Sequence, residues 1–306
     1  MWIRIIQIIL SSTLVAFIVK NAKRIILPGF EKMPLYDVAG FFWKSITKGS
    51  LPMRASAVAF SFFLAIFPSI IFVFTLIPYI PIHHFQDQLL DLLQNFMPKN
   101  AYEATRETIE DIVKKQRGGL LSVGFLMALY FSTNGFNALI TAFNNTYHDI
   151  QTRTGFQQRM ISILLVIICT FLILIAISLL IGSEYTLHRI FHRGQLYYHL
   201  IDVGRWLIIS ALCYFLISFT FYLGPSRKSR WKFASAGSML ATILSIVTSI
   251  GFAYYVNHFG KYNKLYGSIG TLLVILLWIY FNSLVLLVGF DLNASIHQAK
   301  KSKEAR

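Results

Sequence analysis

The residues able to do chemistry in this chain are polar groups set inside long apolar runs. Tyr130, Asn134, Asn137 and Thr141 recur at intervals of four, three and four, which stacks them on one face of a helix. Asn282 lies near the middle of another run, with Ser283 beside it and Asp291 and Asn293 nearer the end. An amide carries several donors and acceptors and is costly to bury without partners. Asn134, Asn137 and Asn282 are therefore expected to face the interior of a helix bundle, either lining a path or clamping helices together. Asp291 suits a pairing with a base, or a proton or cation site. Arg205 follows Asp202 by three residues on one helical face; it suits snorkelling to headgroups, reading an anionic headgroup, or a pairing across the bundle. Pro68 breaks the hydrogen-bond ladder of a further run. Ser235, Ser238, Thr242, Ser245 and Ser249 form a small hydroxyl face of the kind that lets helices approach.

Enzyme chemistry finds little support. His83, His84, His148, His188, His192 and His199 fall in links or at the edges of runs, and no H-E-x-x-H or C-x-x-C spacing occurs. Walker A and G-x-S-x-G motifs are missing as well. Gly267-Ser-Ile-Gly270 is glycine-rich, but it opens an apolar run and cannot reach a cytoplasmic nucleotide. Cys169 and Cys213 both lie inside runs and read as small packing residues, not as a disulfide or metal site. The expectation is a protein that is not an enzyme and uses no metal or cofactor.

The apolar runs themselves must position these groups. The chain is 56% hydrophobic and 13% charged, against about 25% charged in soluble domains. A membrane-spanning helix needs about 20 mostly apolar residues. Six stretches meet that length: Ala55–Ile80, Leu120–Phe143, Phe156–Gly182, Leu200–Leu223, Trp231–Tyr255 and Gly267–Ser295. Backbone groups in hydrocarbon need partners within their own segment, so each is a helix. The third, Ile161–Ile181, is almost wholly aliphatic and is expected to face lipid. The fold class is an all-α, polytopic membrane helix bundle.

Charge gives the expected orientation. The region before the first span, the second-to-third link, the fourth-to-fifth link and the tail together carry eighteen Lys and Arg, and the other three links carry nine. The richer side is expected to be cytoplasmic, which puts both termini inside a cell inner membrane. Attraction of these bases to anionic headgroups accounts for the formal net charge of +15 without nucleic acid. The expected partners are membrane lipids and a lipid or amphiphile substrate.

Three regions follow. Residues 1–53 form an N-terminal interfacial and amphipathic region, 54–296 the six-span membrane domain and 297–306 a basic cytoplasmic tail. Ile3–Val19 reads as a helix lying in the membrane plane, the alternative being an extra span. Leu35–Ser50 is a second amphipathic stretch, with Phe41, Phe42 and Trp43 beside Lys44 and Lys48. Pro81–Gly119 reads as two helices outside the cell, the second opened by Asn100 and Glu103 as a capping box. Its expected role is a lid on the bundle's outer mouth or a cap that binds a partner.

Three stretches resemble the YihY/BrkB family of bacterial inner-membrane proteins. They are Arg54 to Pro68 (RASAVAFSFFLAIFP), Ser132 to Asn137 (STNGFN) with Phe143 to Tyr147 (FNNTY), and Tyr262 to Gly270 (YNKLYGSIG). The last leads on to Leu277 to Tyr280 (LWIY) and Gly289 to Ala294 (GFDLNA). Phe60 and Ala65 depart from the Tyr and Ser that family members often carry. The resemblance implies six inner-membrane spans. The family was once labelled a ribonuclease, a label that no metal-ligand spacing in this sequence supports; other members, linked to envelope integrity, serum resistance and lipid export, imply by analogy a transporter or lipid translocase. The expected function is therefore transport of a lipid or other amphiphilic envelope component, with Asn134, Asn137, Asn282, Pro68, Arg205 and Asp291 as the candidate path. A non-transporting scaffold for envelope assembly is the alternative, and a membrane-bound ribonuclease is disfavoured.

Overall fold

The computed structural model describes residues 29–48, 50–79, 114–146, 153–190, 195–226, 233–258 and 262–304, with isolated positions between 21 and 27 and between 90 and 111. Ile3–Val19 and most of the 81–117 link lie outside the described residues. Seven α-helices are placed among the described residues: α1 Leu35–Lys48, α2 Leu51–Leu76, α3 Gly118–Asn144, α4 Gly155–Ile190, α5 Gln195–Leu223, α6 Ala236–His258 and α7 Tyr262–Glu304. The last six are long and apolar enough to cross a membrane. No strand occurs among the described residues. The six spans expected from hydropathy are the six observed.

Several boundaries differ from the sequence reading: α4 runs on to Ile190, α5 begins at Gln195 and α6 begins at Ala236. Two further differences have clear physical reasons. Pro52 sits in the first turn of α2, where a missing N–H costs nothing, so the helix begins at Leu51, upstream of the apolar run. Helix α7 has 43 residues, about 65 Å at 1.5 Å per residue, well beyond a ~30 Å hydrocarbon core. Its excess carries Lys300, Lys301 and Lys303, so the basic tail continues the last span as helix.

The spans form a closed ring in chain order, each packing on its two sequence neighbours, and α7 returns to lie along α2. Helices α2, α4 and α6 begin, and α3, α5 and α7 end, at one face of the ring; we term this the basic end, since the base-rich links and tail lie there. Close approach is built from small residues. A Cβ on Gly289 of α7 would sit 2.6 Å from the Ala241 Cβ and from the Gly237 carbonyl oxygen of α6. A Cβ on Gly135 of α3 would sit 2.6 Å from the Phe62 ring of α2. At Gly289 the α6 and α7 backbones touch, and at Gly135 the Phe62 ring lies against the α3 backbone; such close approach is the usual means of helix association in lipid.

Burial is concentrated at the basic end. Phe143, Phe221 and Phe290 meet there, from α3, α5 and α7. The Phe143 and Phe290 rings stack with centroids 4.1 Å apart, and Phe221 meets them edge-on at 5.5 and 5.7 Å. These are alternate members of the ring, so three rings fill its centre. Toward the opposite end the side chains lose cover. Residues 118–127 of α3 are exposed apart from Gly124 and the half-buried Leu121, and α6 has no buried residue between Ser245 and His258 among those described.

Helix α1 docks beside this closed end. Phe30, Met33 and Val38 form a second core with Ile296 and Ala299 of the α7 extension. Lys300 pairs with Glu31 at 3.0 Å. Gly29 (φ 85°) makes the preceding turn, and a Cβ there would sit 3.1 Å from the Ala236 Cβ. Trp43 remains 71% exposed on the far side of α1, where an amphipathic helix meets an interface.

Candidate functional site

Below the phenylalanine plug lies a buried polar lock. Arg54, in the first turn of α2, donates from Nη2 to Asp291 Oδ2 of α7 at 3.1 Å. Its Nη1 donates to the Ala142 carbonyl at 3.0 Å and to Thr146 Oγ1 at 2.6 Å. Thr146 in turn donates to Asp291 Oδ1 at 2.9 Å. Asp291 is wholly buried and the Arg54 side chain 6% exposed. Ala142 is among the last residues of α3, whose final carbonyls have no partner inside the helix. Asn145 N and Thr146 N take the carbonyls of Thr141 and Phe143, and Arg54 takes that of Ala142. A cation at this helix terminus is also favoured by the helix dipole. The lock thus ties the start of α2, the end of α3 and the middle of α7.

Three further clamps surround it. Arg153 donates to the carbonyls of Leu223, Gly224 and Pro225, covering the end of α5. Partial burial lowers the Arg153 pKa from its ordinary value. Asn144 and Ser226 exchange two bonds of 2.8 and 3.0 Å between the ends of α3 and α5. Asn293 accepts from Gly237 N at 2.8 Å and donates to Ser235 Oγ at 2.8 Å, fixing the start of α6 on α7.

Two of the three asparagines expected to face the bundle interior, Asn134 and Asn137, are tied to α4. Gln158 Nε2 donates to Asn137 Oδ1 at 2.6 Å and to Thr141 Oγ1 at 3.1 Å. Arg159 Nη1 donates to Asn134 Oδ1 at 2.5 Å, and its guanidinium lies 4.8 Å from the Tyr130 ring centroid. The aliphatic run of α4 does face outward over much of its length, but its first turns carry the groups that satisfy α3. Asn282 is half-buried and returns its amide to the Trp278 carbonyl of its own helix at 2.9 Å. Pro68 is buried within α2, and Arg205 is half-buried in α5. The Asp202 side chain lies outside the described residues. The structure brings Asp291 together with Arg54 and Thr146, and Asn134 with Asn137 along one helix contact; it does not bring all six candidates into one site. Among the described residues, no group of three or more His, Cys, Asp and Glu side chains is placed to hold a metal ion.

The family model described as virulence factor BrkB matches residues 42–306. The chain belongs to the BrkB family. A ribonuclease-like protein, YfkH, of Bacillus subtilis is 30% identical over 251 residues, covering 81% of this chain and 90% of the relative. UPF0761 membrane proteins of Tolumonas auensis and Haemophilus influenzae are each 25% identical. They cover 88% and 84% of the chain, and 88% and 94% of their own lengths. No solved structure matches. With six apolar helices and relatives named as membrane proteins, this BrkB family member is a multi-pass membrane protein.

Sequence reasoning missed Arg54, Thr146, Arg153, Gln158 and Arg159. The three arginines were counted among the bases that anchor the chain to headgroups. A usable signal existed in Arg54, a base inside the first turn of an apolar helix that opens one of the three family-like stretches.

Proposed function

We propose that this protein moves an amphiphile, a lipid or envelope precursor, across the cytoplasmic membrane, with the basic end facing the cytoplasm. The observation that carries the reading is the uneven packing of the ring. Its centre is filled by three phenylalanines beside the Arg54–Asp291 lock at the basic end, while side chains at the other end lose cover. That arrangement suits a translocator resting closed toward the cytoplasm. Charge asymmetry supports the orientation. In this reading Asp291 belongs to the closed gate and Pro68 lets α2 flex. Asn134, Asn137 and Asn282 offer polar footholds along the path, and Arg205 meets an anionic headgroup at the far end.

The test is flux. Reconstituted protein should accelerate movement of fluorescent phospholipids or other amphiphiles over empty liposomes. No acceleration across a broad panel of lipids and solutes would count decisively against transport. A scaffold, the alternative, would lose partner crosslinks on replacement of Phe85–Arg117 and stay inert in every flux assay. The ribonuclease-like name of one relative is not matched by a clustered set of metal-binding side chains among the described residues.

A further inference from the structure

Three arginines near the basic end have different surroundings. Arg54 meets Asp291, and Arg153 meets three backbone carbonyls. Arg159 meets neither kind of partner. It lies in the second turn of α4, a position from which an arginine ordinarily snorkels toward headgroups. Instead its guanidinium is held by Asn134 and Tyr130. Those residues lie ten and fourteen positions before the end of α3 at Asn144, about 15 and 21 Å along the helix. The charge is thus drawn inward along the span.

No carboxylate accompanies it among the described residues. The guanidinium has five N–H donors, and the bond to Asn134 uses one. Its Nε and Nη2 meet no acceptor among the described residues. The location is lateral. Helix α3 turns Gly124 and Gly135 toward α2 and Phe136, Ile140 and Phe143 toward the core. Tyr130 and Asn134 lie on the flank shared with α4, and Tyr130 is 55% exposed. A protein that holds an uncompensated cation beside hydrocarbon bears a substantial cost, and an anion entering from the bilayer would offset it. The planar fork of a guanidinium matches two oxygens of a phosphate. The Tyr130 face and the Asn134 oxygen hold the guanidinium and leave its remaining donors unused among the described residues.

We propose that Arg159, seated between Asn134 and Tyr130, binds the phosphate of an anionic phospholipid that enters sideways from the bilayer between α3 and α4. The site stands whether or not the protein transports lipid, because it requires only binding.

Native mass spectrometry of the full chain tests this by counting retained lipid. Three probes are used: phosphatidylglycerol, a phosphate-free galactolipid with matched acyl chains, and inorganic phosphate as competitor. Wild-type protein should retain phosphatidylglycerol, and Arg159→Gln should lower its affinity about tenfold. Arg159→Lys should fall between, since it keeps the charge and loses the fork. Galactolipid retention should be the same in all three proteins. Equal retention of phosphatidylglycerol by wild type and Arg159→Gln overturns the proposal. Displacement of phosphatidylglycerol by millimolar-range inorganic phosphate overturns the lipid assignment in favour of a free-phosphate site. Should Arg159→Gln fail to fold, Arg159→Lys and Tyr130→Leu carry the comparison; wild-type retention by both overturns the proposal equally. A flux assay that fails while this binding persists removes transport and leaves the site.

Discussion

Asp291→Asn tests whether the basic end is held by a desolvated ion pair. The substitution keeps the side-chain volume and removes the charge opposite Arg54. With an N–O distance of 3.1 Å and an effective dielectric near 20, the gross attraction is about 5 kcal/mol. The net loss should approach that figure, because Arg54 keeps its Ala142 and Thr146 contacts but is left buried and uncompensated. Removing one partner of such a pair typically costs ~3–5 kcal/mol. Arg54→Met alone should cost a similar amount by stranding the Asp291 carboxylate. The double variant Arg54→Met with Asp291→Asn should be more stable than either single variant, since no charge remains to desolvate. What it still loses is the partner of the Ala142 carbonyl, worth about 1–3 kcal/mol. The assay is equilibrium unfolding in SDS–detergent mixtures followed by far-UV circular dichroism, run as a double-mutant cycle. A single-variant loss below about 1 kcal/mol, or a double variant showing the sum of the two single losses, would refute the reasoning.

Other perturbations probe neighbouring parts of the ring. Gly289→Ala places a methyl 2.6 Å from Ala241 and Gly237; it should separate α6 from α7 and cost ~1–3 kcal/mol in the same unfolding assay, and unchanged stability would show that the helices do not touch there. Arg153→Gln should leave the Leu223, Gly224 and Pro225 carbonyls short of donors and loosen the end of α5, seen as faster amide hydrogen exchange over residues 216–226. In the link between α2 and α3, hydrogen bonding from Lys115 and the nearby Arg117 charge hold the Asp111 pKa below its ordinary 3.8. A depressed carboxylate pKa contributes stability above the unfolded value that is lost as pH falls through the folded one. The Asp111–Arg117 contact should therefore persist at neutral pH and dissolve only below about pH 4, with Asp111→Asn abolishing that acid step in an NMR titration.

The spans were legible because the bilayer imposes their length, and a run of about 20 apolar residues has few other uses. Their neighbours were not legible. Asn134 and Asn137 share a face by spacing alone, but spacing does not say which helix that face meets. The aliphatic body of α4 pointed to lipid, while its two partner residues, Gln158 and Arg159, sit just before that body begins. The Arg54–Asp291 pair joins positions 237 residues apart, and nothing local to either residue announces the other. The phenylalanine plug was hidden for a different reason: in spans that are apolar on every side, a core-facing ring and a lipid-facing ring look alike. Only the convergence of α3, α5 and α7 distinguishes Phe143, Phe221 and Phe290 from the chain's other aromatic residues.

The arginines also alter the argument from charge. Arg54, Arg153 and Arg159 entered the count of eighteen bases on one side, yet none is a free surface charge. Removing them leaves fifteen against nine, so the imbalance behind the expected orientation does not depend on them. Their work is structural and directional. Arg54 and Arg153 cover the exposed ends of α3 and α5, the helix termini whose carbonyls face the basic end. Opening the ring at that end would strip both helices of these donors and separate the three phenylalanines together. The basic end is therefore a cooperative closure. A translocator built on this ring must meet that cost in one step, by supplying the same carbonyls and the same arginines with substrate or water partners.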